Sequence, residues 1–232
     1  MPYFENDNLL SVHIPKNAGK SIEVALGLAE QANLGKVGRR SLINRVFTFA
    51  QRASLNLNSQ KKLHGTLDVA LCAQHLTLQE ILLLGLIPKE KVESVKSFAV
   101  FRDPFERAVS TFMHFAGNQN STSKDFEKFC SSWYFDESKD HNIIAHRRQQ
   151  IDYILDCRGR VGMDRVLLFQ NLAQEFYKLC SEWGLLNKRL PYIGLQTNKS
   201  LLDNLYNPQA RKMIHKYFSD DIEYYRTLVN KR

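Results

Sequence analysis

Long apolar runs are missing from this 232-residue chain, and no stretch approaches the ~18–20 apolar residues that cross a bilayer. Cysteine is scarce. Cys72, Cys130, Cys157 and Cys180 form no CxxC pair and lack the spacing of a small disulfide-built domain, so a reducing compartment is expected. Internal repeats, low-complexity tracts and a Pro/Gly-rich linker are also lacking, which argues against a solenoid or a two-domain chain. Met1 to Asn8 is polar and acidic and leads into no leader-like apolar segment. Between Gln31 and Leu67 there is no acid at all, while Lys36, Arg39, Arg40, Arg45, Arg52, Lys61 and Lys62 all fall there. The expectation is one soluble domain over residues 1–232.

What is present suits a packed α/β core: 44% apolar and 11% aromatic residues. A net charge of +8 favours polyanionic partners without choosing one. Leu9 to Ile14 and Phe98 to Phe101 read as buried strands, with Val69 to Ala73 and Arg165 to Phe169 as two more. Helical spacing runs through Lys20 to Glu30 and through Leu42, Ile43, Val46, Phe47 and Ala50. Thr77 and Glu80 have capping-box spacing ahead of Leu78 to Leu84, with Gly85 as the stop. Asp103 as N-cap with Pro104 behind it opens another helix. Ser121 to Arg160 reads as two helices, an Asn171-capped helix ends near Gly184, and Pro208 to Val229 is helical. Alternation of strand and helix predicts a three-layer α/β fold, P-loop-like, with a central parallel sheet flanked by helices.

Two strand–turn–helix segments carry the chemistry. The first is Ser11-Val12-His13-Ile14-Pro15-Lys16-Asn17-Ala18-Gly19-Lys20-Ser21; the second runs from Ser97 through Arg102-Asp103-Pro104-Phe105-Glu106-Arg107 to Ser110. A helix start carries unpaired N–H groups and partial positive charge, so each turn suits phosphate or sulfate. Gly19-Lys20-Ser21 invites a Walker A reading, but that motif needs glycine where Ile14 stands. Arg102 also follows the strand where a Mg²⁺-binding acid would be required.

The first segment instead resembles the 5′-phosphosulfate loop of sulfotransferases that use 3′-phosphoadenosine 5′-phosphosulfate (PAPS). The second resembles their 3′-phosphate motif. With Asp220-Asp221-Ile222-Glu223-Tyr224-Tyr225, the pattern is similar to the carbohydrate enzymes, notably the heparan sulfate 2-O and 6-O sulfotransferases. Asn17 and Lys20 depart from the small hydroxyl residues usual at those positions. The resemblance implies PAPS as co-substrate without a metal, and transfer to the hydroxyl of a carbohydrate or other acceptor, acidic or neutral. No nucleic-acid partner is expected, and the resemblance implies either a bacterial cytoplasmic enzyme or a trimmed catalytic domain from the Golgi lumen, where the eukaryotic relatives are anchored.

On this resemblance Lys16 would stabilise the departing phosphate oxygen, and Asn17, Ala18, Gly19, Lys20 and Ser21 would line the 5′ end. Arg102 and Ser110 would hold the 3′-phosphate, with Asn198 and Lys199 closing over the nucleotide. Arg107 reads as structural, paired to Asp103 or Glu106. His75, at a strand end before a capped helix, would be the general base, an imidazole being suited to taking a hydroxyl proton. Its alternatives are a satisfied structural histidine or a metal pair with Cys72, and His64 is the stand-in. The other histidines have no comparable context. Residues 31–67 would be helical and near an acidic acceptor, or would lie on an anionic membrane; His146 to Gln150 is a second basic element near the acceptor. Two further readings stay open: a P-loop nucleotide kinase, and a non-catalytic polyanion-binding module.

Overall fold

The computed structural model describes residues 3–4, 7–27, 75–135, 137–138, 140–185, 188–191 and 199–231. The basic segment 31–67, His64, the strand expected over Val69 to Ala73, Cys72 and Asn198 lie outside the described residues. The chain is α/β, and its described residues form a four-stranded sheet in the order β1 (Tyr3–Phe4), β2 (Leu9–Val12), β3 (Lys96–Phe101), β4 (Arg165–Leu168). β1 is antiparallel to β2. β2, β3 and β4 are parallel, Val12 standing beside Ala99 and Phe101 beside Leu168.

Side chains alternate across a pleated strand, so each face needs its own cover. Leu9, Phe98, Val100 and Leu167 pack with Ile22 and Leu26, in and just after α1 (Gly19–Ala25), and with Leu172, Phe176 and Leu179 of α7 (Leu172–Glu182). On the other face Leu10, Val12, Ala99 and Phe101 meet Leu78 and Ile81 of α2 (Leu78–Leu83) and Tyr153 and Ile154 of α6 (Gln150–Ile154). Tyr224 and Leu228 of α10 (Ser219–Asn230) pack against the same cluster. A third cluster joins α3 (Pro104–Phe115) to α4 (Ser123–Trp133), α8 (Lys199–Leu205) and α9 (Pro208–Tyr217) through Phe112, Phe126, Leu205 and Ile214. No helix among the described residues is long and apolar enough to cross a membrane.

Local signals set the helix starts. Thr77 and Glu80 close a reciprocal capping box, and the Asp103 carboxylate accepts the N–H groups of Phe105 and Glu106. Elsewhere the structure departs from expectation. α1 stops at Ala25, where Gly27 at φ 86° turns the chain. Asn171 precedes α7, but its side chain makes no capping bond. Residues 121–160 hold three helices among the described residues, not two: α5 (His141–Arg147) and α6 are separated by extended Arg148 and Gln149. The Asp221 carboxylate, from α10, accepts the N–H groups of Gln150 and Ile151 at 2.8 Å each and starts α6 afresh. The C-terminal helical stretch is likewise broken at Phe218 into α9 and α10.

Candidate active site

Because β2 and β3 run parallel and in register, the turns that follow them emerge at one sheet edge, where α/β proteins seat ligands. The first turn is unusual. Lys16 (φ 70°) and Ala18 (φ 62°) both lie in the left-handed region although neither is glycine, a conformation that persists only when its surroundings enforce it. Those surroundings are visible. The Arg107 Nε–H donates to the Pro15 carbonyl at 3.2 Å, and Arg102 Nη1 donates to the Lys16 carbonyl at 3.0 Å. Asn17, 2% exposed, donates its amide to Val100 O at 2.7 Å and to Gln150 Oε1 at 2.6 Å. The first N–H groups of α1 (Gly19, Lys20 and Ser21) have no intrahelical partners.

Gln150 locks the two turns together. It is fully buried, its Oε1 also accepts Arg102 N–H at 3.0 Å, and its Nε2 donates to Arg102 O at 2.9 Å. Arg107 is structural, but its partners are not those expected. Asp103 is committed to capping α3 and Glu106 to Arg102, so the buried Arg107 guanidinium reaches inward instead. It donates to the carbonyls of Pro15, Arg148 and His146 and stands 4.0 Å from Asp221.

Positive charge is concentrated here. Lys16 is half-buried, and burial together with the charges of Lys20 and Arg102 brings its ammonium down to a pKa of about 8. Arg102 is nearly fully buried, and burial works against its charge. Its guanidinium lies over the Phe169 ring at 4.0 Å and meets Glu106 at 3.3 Å. Lys20 is exposed, Ser21 is buried, and Ser110 is half-buried two turns into α3. Lys199 is the first residue of α8.

His75 sits at this edge, 6% exposed, and it is not alone. Its ring meets His13 edge-on at 4.7 Å and His146 at 5.4 Å, and His114 stacks on His146 at 5.6 Å. The four rings form a row from α1 outward to exposed His114 rather than converging, and no group of ligating side chains among the described residues is placed to hold a metal ion. His75 Nδ1 faces the His13 carbonyl at 3.2 Å; a carbonyl only accepts, so Nδ1 carries the hydrogen and the lone pair of the neutral ring is on Nε2. His146 Nδ1–H is held likewise by Asn142 O at 2.8 Å, while burial, with Arg107, Lys16 and His114 nearby, brings its pKa down to about 3. His114 is also lowered, by burial and then by Lys16 and Lys20.

Gly19 has a reason beyond close approach to a ligand. A Cβ there would fall 1.8 Å from His13 Nε2, so the glycine makes room for that ring. Gly19→Ala is expected to cost about 1–3 kcal/mol by overpacking, read as a lower midpoint in chemical denaturation.

Sequence reasoning missed His13, His114, Gln150 and Glu23, because their roles arise only where separate elements meet. His146 and Gln150 do fall in the basic stretch singled out as near the acceptor. Within that stretch Arg148 forms a forked pair with Glu80, and Arg147 lies over Trp133 at 5.0 Å. Comparison with protein-family models, with curated proteins and with solved structures yields no match.

Proposed function

We propose that this chain is a PAPS-dependent sulfotransferase acting on a carbohydrate hydroxyl, built on a three-layer P-loop-like arrangement. The observation that carries the reading is the meeting of Lys16 and Arg102, 86 residues apart, through the 3.0 Å bond from guanidinium to carbonyl. A donor anionic at both ends needs both turns in one place. The residues fit such a ligand: Lys16, Lys20 and Arg102 crowd like charges that an anion relieves, beside helix-start N–H groups without intrahelical partners.

Each residue then has a task. The N–H groups of Gly19, Lys20 and Ser21 take the 5′-phosphate oxygens, while Arg102 takes the 3′-phosphate with Ser110 alongside. His75 Nε2 removes the acceptor hydroxyl proton as that oxygen bonds to sulfur. The bond from sulfur to the 5′-phosphate oxygen breaks, its electron pair stays on that oxygen, and the Lys16 ammonium stabilises the charge. Asn198, Lys199 and the basic segment 31–67 are assigned to nucleotide closure and acceptor contact by resemblance alone.

Two measurements test the reading. Adenosine 3′,5′-bisphosphate is expected to raise the thermal midpoint, and Mg-ATP to leave it unmoved. Labelled sulfate is expected to pass from PAPS to at least one member of a glycan panel, and not in the His75→Ala protein. Protection by Mg-ATP with none by the bisphosphate would point to the kinase; glycan binding without turnover, unaffected by His75→Ala, to the binding module.

A further inference from the structure

His13 touches the candidate base twice. Its backbone carbonyl accepts from His75 Nδ1 at 3.2 Å, and its ring meets the His75 ring at 4.7 Å with an angle of 71°. The His13 ring is itself held. Its Nδ1 donates to Glu23 Oε1 at 2.9 Å, and it occupies the space left by the missing Cβ of Gly19. All three side chains are largely or fully buried: His13 and His75 are 7% and 6% exposed, and the Glu23 side chain 16%.

We propose that His13 and Glu23 are positioning residues for His75: the His13 carbonyl fixes its tautomer, and Glu23, through the His13 ring, strengthens its hold on a proton. The Glu23 carboxylate, bonded to the ring that meets His75 edge-on, favours the imidazolium formed when a hydroxyl gives up its hydrogen. The surroundings give that charge weight. Lys16 follows β2, Lys20 is on α1, Arg107 and His114 are on α3, and His146 is held neutral on α5. The nearby Glu80 of α2 is already matched by Arg148. Lys16 and Arg107 disfavour charge on His146, whose ring meets that of His75, and the Glu23 carboxylate on His13 is of the opposite sign. The inference rests on the sulfotransferase reading only for the source of the proton.

A general base must start neutral, so removing the carboxylate weakens the protonated form of His75 relative to the competent one. In Glu23→Gln the first histidine protonation is therefore expected to move to lower pH by about one unit, followed by NMR of ¹⁵N-labelled rings. Glu23→Asp, which keeps the charge but draws it back, is expected to fall between. The acid limb of kcat/KM with PAPS should move the same way, while maximal turnover drops about tenfold; a merely structural role lowers turnover without moving the limb downward. An unmoved ring titration in folded Glu23→Gln overturns the proposal. Wild-type protein that transfers nothing from PAPS while its ring titration responds to Glu23 overturns the reaction and leaves the pair standing.

Discussion

Arg107→Met is expected to lose about 3–5 kcal/mol of stability at pH 8, the scale for removing one partner of a buried ion pair. The guanidinium is 1% exposed and joins three parts of the chain. It donates to Pro15 in the first turn, to His146 at the end of α5 and to Arg148 just after it, and it faces Asp221 on α10. Methionine fills comparable volume but leaves three carbonyls short of a donor and a buried carboxylate without its cation. Lysine is expected to recover only part of the loss, since one ammonium cannot serve carbonyls arrayed around a planar fork.

The pH dependence identifies the partner. Burial raises the Asp221 carboxyl to a pKa of about 6, against the lowering pull of Arg107 and the N–H groups of Gln150 and Ile151. Without Arg107 the native-state value rises further. At pH 8 the wild-type carboxylate is ionised and the full attraction is lost on substitution. As pH falls through about 6 the carboxyl takes a proton in both proteins, so the electrostatic part of the difference fades. Denaturation at pH 8 and pH 5 should therefore give a smaller gap at the lower pH. A gap that stays constant would assign the stabilisation to the carbonyls rather than to Asp221.

The same pair explains where the sequence was legible. The start of α2 is written in Thr77 and Glu80 and that of α3 in Asp103 and Pro104, because donor and acceptor lie within three residues of each other. The two strand–turn–helix segments were legible as well, each turn following its own buried strand. The break between α5 and α6 was not, because the carboxylate that restarts the helix comes from Asp221, 71 residues beyond Gln150. Gln150 bridges turns 48 and 133 residues away in sequence, and the histidine row draws on the end of β2, on α3, on α5 and on the approach to α2. Periodicity records which face a residue takes, not which distant residue it meets there. Thus His75 stood out by its place before a capped helix, while His13, in an ordinary strand pattern, did not.

On the proposed reaction, Lys16→Ala is expected to lower turnover about 10²- to 10³-fold, as when one preorganised donor to a developing oxyanion is removed. Binding carries a second signature. Burial, Lys20 and Arg102 bring Lys16 down to a pKa of about 8, so in the free protein it loses its proton as pH climbs through that value. Phosphate monoesters complete their ionisation near pH ~6, so the ligand's own charge is settled over this range. Adenosine 3′,5′-bisphosphate favours the ammonium, and binding must return the proton to lysine; its affinity should fall tenfold per pH unit above about 8. Calorimetry between pH 7 and 9.5 reads this as a bend in affinity and as proton uptake that depends on the buffer. Lys16→Ala should bind more weakly at pH 7 and lose the bend. Arg102→Ala should also bind weakly yet keep it, since the lysine still titrates. Affinity that stays level through pH 8 in the wild-type protein would place Lys16 away from the phosphates and remove it from the reaction.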